Sequence, residues 1–210
     1  MATIHQATLT PTKLELLANW LPDRRWYPGE TLPDLDRLGA FRFDDPDGEV
    51  GVETLVIRPS NGGPVVQAPL TYRAAPLNGA DYFLIGITEH SVLGTRWVYD
   101  AVGDPVYLTC LAAAIRTGGR EAEEMVQTAA GPRRRDPLMS VRGTGTANTA
   151  RPAGTLVRVQ DGDPAVAVTT SERLEVRRVL TTEPADNHLA LTGTWPGLSA
   201  PMILATLDGA

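Results

Sequence analysis

The sequence has 210 residues, a formal charge of −6 and a pI of about 5.1. This acidic balance excludes sequence-independent binding to DNA or to anionic membranes, because both depend on clustered cations. Seventeen prolines and twenty glycines interrupt the chain often enough to favour short strands over long helices.

The N-terminal segment predicts a strand followed by a helix. Residues 3–9 alternate in polarity, as a first strand does. Thr12 and Glu15 then have the spacing of a capping box, in which each side chain bonds the other's backbone N–H. Apolar residues recur at helical spacing until Pro22 ends the helix. Such a short amphipathic helix must bury its apolar face, and we expect a sheet to cover it.

Four β-rich segments follow, and they predict strands over residues 38–43, 50–57, 65–72 and 82–87. The turn at 60–63 (Ser-Asn-Gly-Gly) is a hairpin signal. The acidic run at 44–48 is interpreted as a turn. One helix and a four-stranded meander predict an α+β fold, in which a curved antiparallel sheet carries the N-terminal helix on one face.

The second half predicts short helices and then more strands. Asp104 and Pro105 suit the N-cap and first position of a helix over 106–115, which Gly118-Gly119 ends. Residues 120–127 either extend it or form a separate helix, and 131–136 form an exposed connection. The last third predicts six strands, over 138–142, 155–160, 165–169, 174–180, 189–194 and 202–207.

This order of elements predicts two regions. Residues 1–92 hold the first sheet with its helix, and residues 93–210 hold the helical connection and a second β-rich region. Nothing near Met1 resembles a signal peptide, and no apolar run approaches a membrane span. We therefore expect a cytoplasmic protein with no membrane partner and no nucleic-acid partner.

The chain has few cysteine and histidine residues, and their positions in the sequence do not suit catalysis or metal binding. Cys110 is the only cysteine and lies in an apolar run, which predicts a buried and inert thiol. The three histidines, His5, His90 and His188, lack a second ligand at metal-binding spacing. The sequence therefore predicts no metal site, no cofactor and no catalytic residue.

Phosphoryl transfer can be tested motif by motif. The only lysine, Lys13, lies at the predicted helix start and not on a strand facing a nucleotide. No P-loop and no kinase catalytic Asp/Asn set is present. The small, polar loop 143–149 begins Gly-Thr-Gly-Thr, which superficially resembles a phosphate-covering loop but has no lysine to accompany it. We interpret it as a flexible loop.

The segment that carries the clearest functional signal is Arg24-Arg25-Trp26-Tyr27. One interpretation is structural, with the aromatic rings packing over the sheet edge after the helix ends. The other is a binding surface, because Arg and Trp are enriched where proteins grip anions, sugars or partners. Arg24, Arg25, Trp26 and Tyr27 are therefore the candidate binding residues.

At this segment the sequence resembles the maltokinase N-terminal cap domain. Residues 25–29 (Arg-Trp-Tyr-Pro-Gly) resemble that family's signature, although Glu30 stands where the family typically has lysine. Further short matches follow at 66–73, 81–86 and 97–101. The resemblance implies a cystatin-like sheet-and-helix cap, followed by a region similar to a kinase N-lobe or intermediate region. There Arg177 and Arg178 lie near the expected nucleotide lysine, but no catalytic residue carries over.

The resemblance implies a non-catalytic cap-like protein of a sugar-metabolising bacterium. Its expected partner is a sugar kinase or another enzyme of α-glucan, maltose or trehalose metabolism, which it docks to or regulates. Two alternatives stay open: a phosphotransferase subunit that needs a second chain for catalysis, and a small-molecule binding protein.

Overall fold

The computed structural model describes residues 2–4, 7–29, 34–128, 131–147, 154–182 and 189–209. Within these ranges the chain forms three sheets with a few short helices, which confirms the α+β class. No helix in the described ranges is long and apolar enough to cross a membrane. The α-helices are α1 (Lys13–Trp20) and α2 (Pro105–Thr117).

The strands are numbered in chain order. They are β1 (Ala2–Ile4), β2 (Leu9–Thr10), β3 (Leu35–Phe43), β4 (Gly51–Pro59), β5 (Val65–Arg73), β6 (Leu84–His90), β7 (Gly94–Asp100), β8 (Glu124–Thr128), β9 (Gly131–Arg135), β10 (Ser140–Gly143), β11 (Leu156–Gln160), β12 (Ala165–Thr169), β13 (Glu172–Val176), β14 (Val179–Leu180), β15 (Leu189–Thr194) and β16 (Met202–Gly209).

Helix α1 begins where the sequence predicted. The Thr12 side chain accepts a hydrogen bond from the backbone N–H of Glu15, and the Glu15 carboxylate accepts one from the backbone N–H of Thr12 at 2.7 Å. The capping box is thereby confirmed. A 3₁₀ turn over Leu21–Asp23 follows the helix and redirects the chain.

The first sheet has the strand order β2-β6-β7-β5-β4-β3. The predicted meander is wrong at one point: β7, which the sequence analysis missed, lies between β5 and β6. Strand β6 turns back into β7, and β7 then pairs with the second half of β5, from Leu70 to Arg73. The first half of β5 pairs instead with β14, so a strand from late in the chain completes the same sheet.

Both faces of the central strands of the first sheet are covered. Leu55 and Ile57 of β4 pack against α1, in a core cluster with Leu17 and Trp20. The opposite face, with Val56, packs towards α2 and the second sheet. The first sheet is therefore the middle layer of the fold.

Helix α2 follows the predicted rules at both ends. The Asp104 carboxylate accepts from the backbone N–H of Val106 at 3.0 Å, and Pro105 occupies the first turn. Gly118 ends the helix at φ 66°, a left-handed conformation that favours glycine. Asp104 also binds Arg73 of β5 through two hydrogen bonds of 2.7 Å, which join the helix start to the first sheet.

The second sheet has the antiparallel order β10-β15-β16-β13-β12-β11, and five of the six strands predicted for the last third lie in it. The predicted strand over 174–180 is wrong as one strand, because it is divided into β13 of this sheet and β14 of the first sheet. The inner face of the second sheet shares one hydrophobic core with α2 and the first sheet, which includes Val56, Leu111 and Leu174. The boundary between residues 92 and 93 stays a prediction. It falls in the turn between β6 and β7, two paired strands of one sheet.

The segment after α2 differs from the predictions. Residues 124–128 form strand β8 and residues 131–135 form strand β9, where a helix and a connection were expected. Strand β8 pairs in parallel with β1 and antiparallel with β9, giving a small third sheet. Local helix propensity was overridden because pairing with a distant strand satisfies the backbone groups of this segment.

Four of the five described N–H groups of the loop that resembled a phosphate-covering loop donate backbone hydrogen bonds, at positions 143, 144, 145 and 147. The N–H groups of Gly143, Gly145 and Ala147 donate to the carbonyl oxygens of Gly119, Ile115 and Arg116. Residues 144–147 form a loop as predicted, but these hydrogen bonds attach it to α2 and its neighbours, and residues 148 and 149 lie outside the described ranges. These amides cap the end of α2 and are not available to a phosphate.

Lys13 attaches α1 to the first sheet. Its Nζ atom lies 2.5 Å from Glu53 Oε2 on β4, and the Tyr72 hydroxyl donates to the same oxygen at 3.0 Å. Burial by itself raises the pKa of Glu53, but Lys13 and the nearby Arg42 outweigh it and hold that pKa below its ordinary value of 4.5. The carboxylate is therefore charged in the folded protein at neutral pH.

We predict that Gly143→Ala lowers the free energy of unfolding by about 2–4 kcal/mol. A Cβ atom at this position would overlap the carbonyl of Ala114, which is backbone and cannot move aside. Urea unfolding measures the change. The control is Gly209→Ala, where a Cβ would meet no atom within 4 Å, so equal stability of the two variants would contradict this account.

We predict that acid destabilises the wild type more steeply than Glu53→Gln. The unfolded carboxyl has the higher pKa, so its charged form stabilises the fold fully above about pH 4.5 and ceases to do so as the pH falls through the lower folded pKa. Urea unfolding between pH 3 and pH 7 gives both curves. Parallel curves would show that Glu53 has no such role.

Candidate functional site

The Arg24–Tyr27 segment follows the 3₁₀ turn as a second turn that begins from an extended Arg24. Arg24 has φ −92° and ψ 124°, and the backbone N–H of Tyr27 donates to the Arg24 carbonyl. As a result, neighbouring side chains point in different directions. Arg25 is exposed, Arg24 and Trp26 are half-buried, and Tyr27 is buried.

Tyr27 belongs to the core. Only 8% of the residue is exposed, and it lies in the cluster that also contains Leu17 and Leu55. The space above Gly29 is filled by the Tyr27 ring, so a side chain at position 29 would collide with it. The structure therefore places Tyr27 as a support for the segment and leaves little of it to contact a ligand.

Trp26 joins the segment to the second β-rich region. Its indole Nε1 donates to Asp161 Oδ1 at 2.9 Å, and its ring lies beneath the Arg178 guanidinium at 4.9 Å from the centroid. The ring also meets Trp20 edge-on at 5.9 Å between centroids. Trp26 thus contacts Trp20 of helix α1, Asp161 in the segment before β12, and Arg178 in the segment after β13.

Arg178 is the most deeply placed charge of this cluster. Its side chain is completely buried and forms two hydrogen bonds with Asp100, at 2.9 and 2.5 Å, while its backbone N–H donates to Asp163 at 2.8 Å. Burial alone lowers the pKa of Arg178, but Asp100 and Asp161 raise it, and the net direction is upward. The guanidinium therefore stays charged inside the protein.

Arg24 and Tyr82 lie next to each other in this cluster. The Arg24 guanidinium lies 5.1 Å from the Trp20 ring and 5.9 Å from the Tyr82 ring. The Tyr82 hydroxyl donates to Asp161 Oδ2 at 3.1 Å, although 63% of the residue is exposed. That hydrogen bond raises the pKa of Tyr82, and the Asp161 charge adds to the effect.

The cluster therefore has a fixed interior and an exposed rim. The rim consists of Arg25 and Tyr82, which we call the Arg25–Tyr82 surface. The interior consists of Arg24, Trp26, Asp100, Asp161 and Arg178. Sequence reasoning grouped only the members at 24–26 and named Arg178 in a different context, because the other four are brought to them by tertiary contacts across 56 or more positions of the chain.

This arrangement suits binding better than catalysis. Both Asp161 oxygens accept hydrogen bonds, from Trp26 and Tyr82, and Asp100 is bound by Arg178. Carboxylates held in this way are poor general bases, since their lone pairs already have donors. Among the described residues no group of three His, Cys, Asp or Glu side chains could hold a metal ion.

The remaining sequence candidates have structural contacts. His90 Nδ1 accepts from the backbone N–H groups of Val92 and Leu93 in the β6–β7 turn. Asp45 accepts three backbone N–H groups, at positions 47, 49 and 50, which confirms the acidic run as a turn. His5, His188 and Glu30 lie outside the described residues.

A comparison with protein families matches the part of the chain that supplies Arg24, Trp26, Tyr82 and Asp100 to the cluster. Residues 20–104 match the family model of the maltokinase N-terminal cap domain. The resemblance predicted from the sequence is confirmed over this segment, which runs from the end of α1 to the N-cap of α2. No curated protein matches the chain at a significant level. Of the cluster, Asp161 and Arg178 lie beyond the segment that matches the cap domain.

We predict that Asp100→Asn destabilises the fold by about 3–5 kcal/mol, because it leaves the buried Arg178 guanidinium without its carboxylate. Urea unfolding at pH 7 measures the loss. The double variant Asp100→Leu with Arg178→Met removes both charges and should recover at least half of it. A single variant as stable as the wild type would show that the ion pair does not hold the cluster together.

Proposed function

We propose that this chain is a non-catalytic cap-like protein that docks to a cytoplasmic enzyme of sugar metabolism. The match of residues 20–104 to the maltokinase N-terminal cap domain supports a link to maltokinase-like sugar metabolism. The partner that best fits this link is a sugar kinase or another enzyme of α-glucan, maltose or trehalose metabolism.

The observation that carries the docking proposal is the exposure of Arg25 and Tyr82 on a fixed support. Arg and Tyr are among the residues that dominate binding energy at protein interfaces. Tyr82 is already oriented by Asp161 and by the Arg24 guanidinium, so little conformational freedom remains to be lost on binding. A preorganised aromatic ring beside an exposed cation is the expected centre of such an interface.

The described residues give less support to the alternative of a phosphotransferase subunit than to docking. Arg178, which lies near the position expected for a nucleotide lysine, is completely buried and bound to Asp100. Lys13 is held by Glu53 beside α1. Neither basic group is placed to receive a phosphate.

We predict that replacing both Arg25 and Tyr82 with alanine weakens binding to the partner enzyme by at least about tenfold, since truncating interface anchors typically costs 1–2 kcal/mol or more. Titration calorimetry with purified maltokinase and with purified α-glucan enzymes measures the dissociation constants. The control is Arg37→Ala with Val157→Ala, which removes an exposed arginine and an exposed apolar side chain elsewhere.

Two results would contradict the proposal. Absence of binding to every enzyme of this group would remove the docking role, and equal weakening by the control would remove the Arg25–Tyr82 surface as its site. ATP-dependent phosphorylation of maltose or glucosamine by the pure chain would overturn the non-catalytic role.

A further inference from the structure

An open pocket of about 550 Å³ lies between helix α2, the end of β3 and the segment after α2. This volume is within the range of small-molecule sites. None of its lining residues belongs to the Arg25–Tyr82 surface or its supporting cluster. They include Phe43, Asp44, Cys110, Ala113, Arg120 and Glu121.

The walls of this pocket are fixed by hydrogen bonds between distant segments. The backbone N–H of Ala122 donates to the Arg42 carbonyl, and the Glu121 carboxylate accepts from the backbone N–H of Val141 at 2.8 Å. The Cys110 thiol donates to the Asp44 carbonyl at 3.5 Å. A pocket held in this way is preformed, so a ligand need not order its walls on binding.

The lining contains apolar and charged residues. The apolar residues Phe43, Cys110 and Ala113, which we call the floor, suit a hydrocarbon body. The charged residues Asp44, Glu121 and Arg120, which we call the rim, are two carboxylates and one guanidinium. The excess negative charge favours a cationic ligand over an anionic one.

Cys110 reports the same electrostatic preference from within the pocket. Burial is the main reason that the pKa of its thiol rises to about 11, and the charges of Asp45, Asp104 and Asp44 raise it further. Burial disfavours a charge of either sign at this thiol, whereas the three carboxylates disfavour negative charge alone.

We propose that this pocket binds a small organic cation with an apolar body, such as an aromatic or aliphatic primary ammonium ion. The apolar part lies against Phe43 and Ala113, and the ammonium group lies at the Asp44 and Glu121 side of the rim. This site is independent of the proposed docking surface, and its occupancy does not require a partner enzyme.

The test compares three probes of one shape: benzylamine, benzyl alcohol and benzoate. Titration by ¹H–¹⁵N NMR at pH 7 should show benzylamine shifting the amide signals of Thr109, Cys110 and Ala113. Its dissociation constant should be at least about fivefold lower than that of benzyl alcohol, which in turn should bind better than benzoate.

Two variants locate the site. Ala113→Phe fills the floor and should weaken benzylamine binding at least about tenfold, whereas Asn19→Phe introduces the same ring at an exposed position of α1 and should leave it unchanged. Asp44→Asn should reduce the preference for benzylamine over benzyl alcohol, and it keeps the test decisive if Ala113→Phe does not fold. No amide shift with any probe, shifts confined to other residues, or equal binding of benzoate and benzylamine would overturn the proposal.

Discussion

The buried ion pair between Arg178 and Asp100 is the constraint on which the arrangement of this protein depends. A guanidinium with no exposed surface is tolerated only if its charge is paired inside the fold, and Asp100 pairs it through both terminal nitrogens of Arg178. The Nε atom of Arg178 is buried without a hydrogen-bond partner among the described residues, so Asp100 carries this compensation. Asp100 ends β7 of the first sheet, and Arg178 lies between β13 and β14. The two regions can therefore bury this charge only when they are packed together in one relative position.

The other contacts around this pair extend the same constraint outward. Trp26 stacks on the guanidinium and donates to Asp161, and Tyr82 donates to Asp161 from the surface side. Nearby, β14 pairs with β5, and the Gln67 side chain donates to the carbonyls of Arg177 and Leu204. Residues beyond 104 thus complete the sheet of the cap segment and support its exposed rim. The segment that matches the cap domain and the residues beyond 104 are therefore joined by one continuous set of contacts.

This arrangement explains why the Arg24–Tyr27 segment fits both interpretations drawn from the sequence. Its aromatic rings are structural: Tyr27 is in the core, and Trp26 covers Arg178. Arg25, however, stays exposed, and Tyr82 joins it from another part of the chain. A rigid interior under a small exposed rim is the usual construction of a protein-binding site, and the docking proposal rests on that combination. The pocket beside α2 is a separate feature, with walls from β3, α2 and the segment that follows α2.

Local rules were enough for the elements whose signals are local. The capping box at Thr12 and Glu15, the helix start at Asp104, and five of the six strands predicted for the last third follow from spacing within a few residues. The family resemblance was likewise available from short matches in order. The sequence could also exclude a self-sufficient kinase motif, because that depends only on which residue types are present.

Tertiary structure decided everything that depends on pairing between distant segments. It placed β7 between β5 and β6, and it made strand β8 from a segment with helical composition. In the folded chain, backbone N–H groups of the 143–147 loop also donate to carbonyl oxygens at the end of α2. The members of the cluster at Tyr82, Asp100, Asp161 and Arg178 could not be read from the sequence. A buried charge has no local signature, since the partner that makes its burial tolerable can lie 78 positions away, as Asp100 does from Arg178.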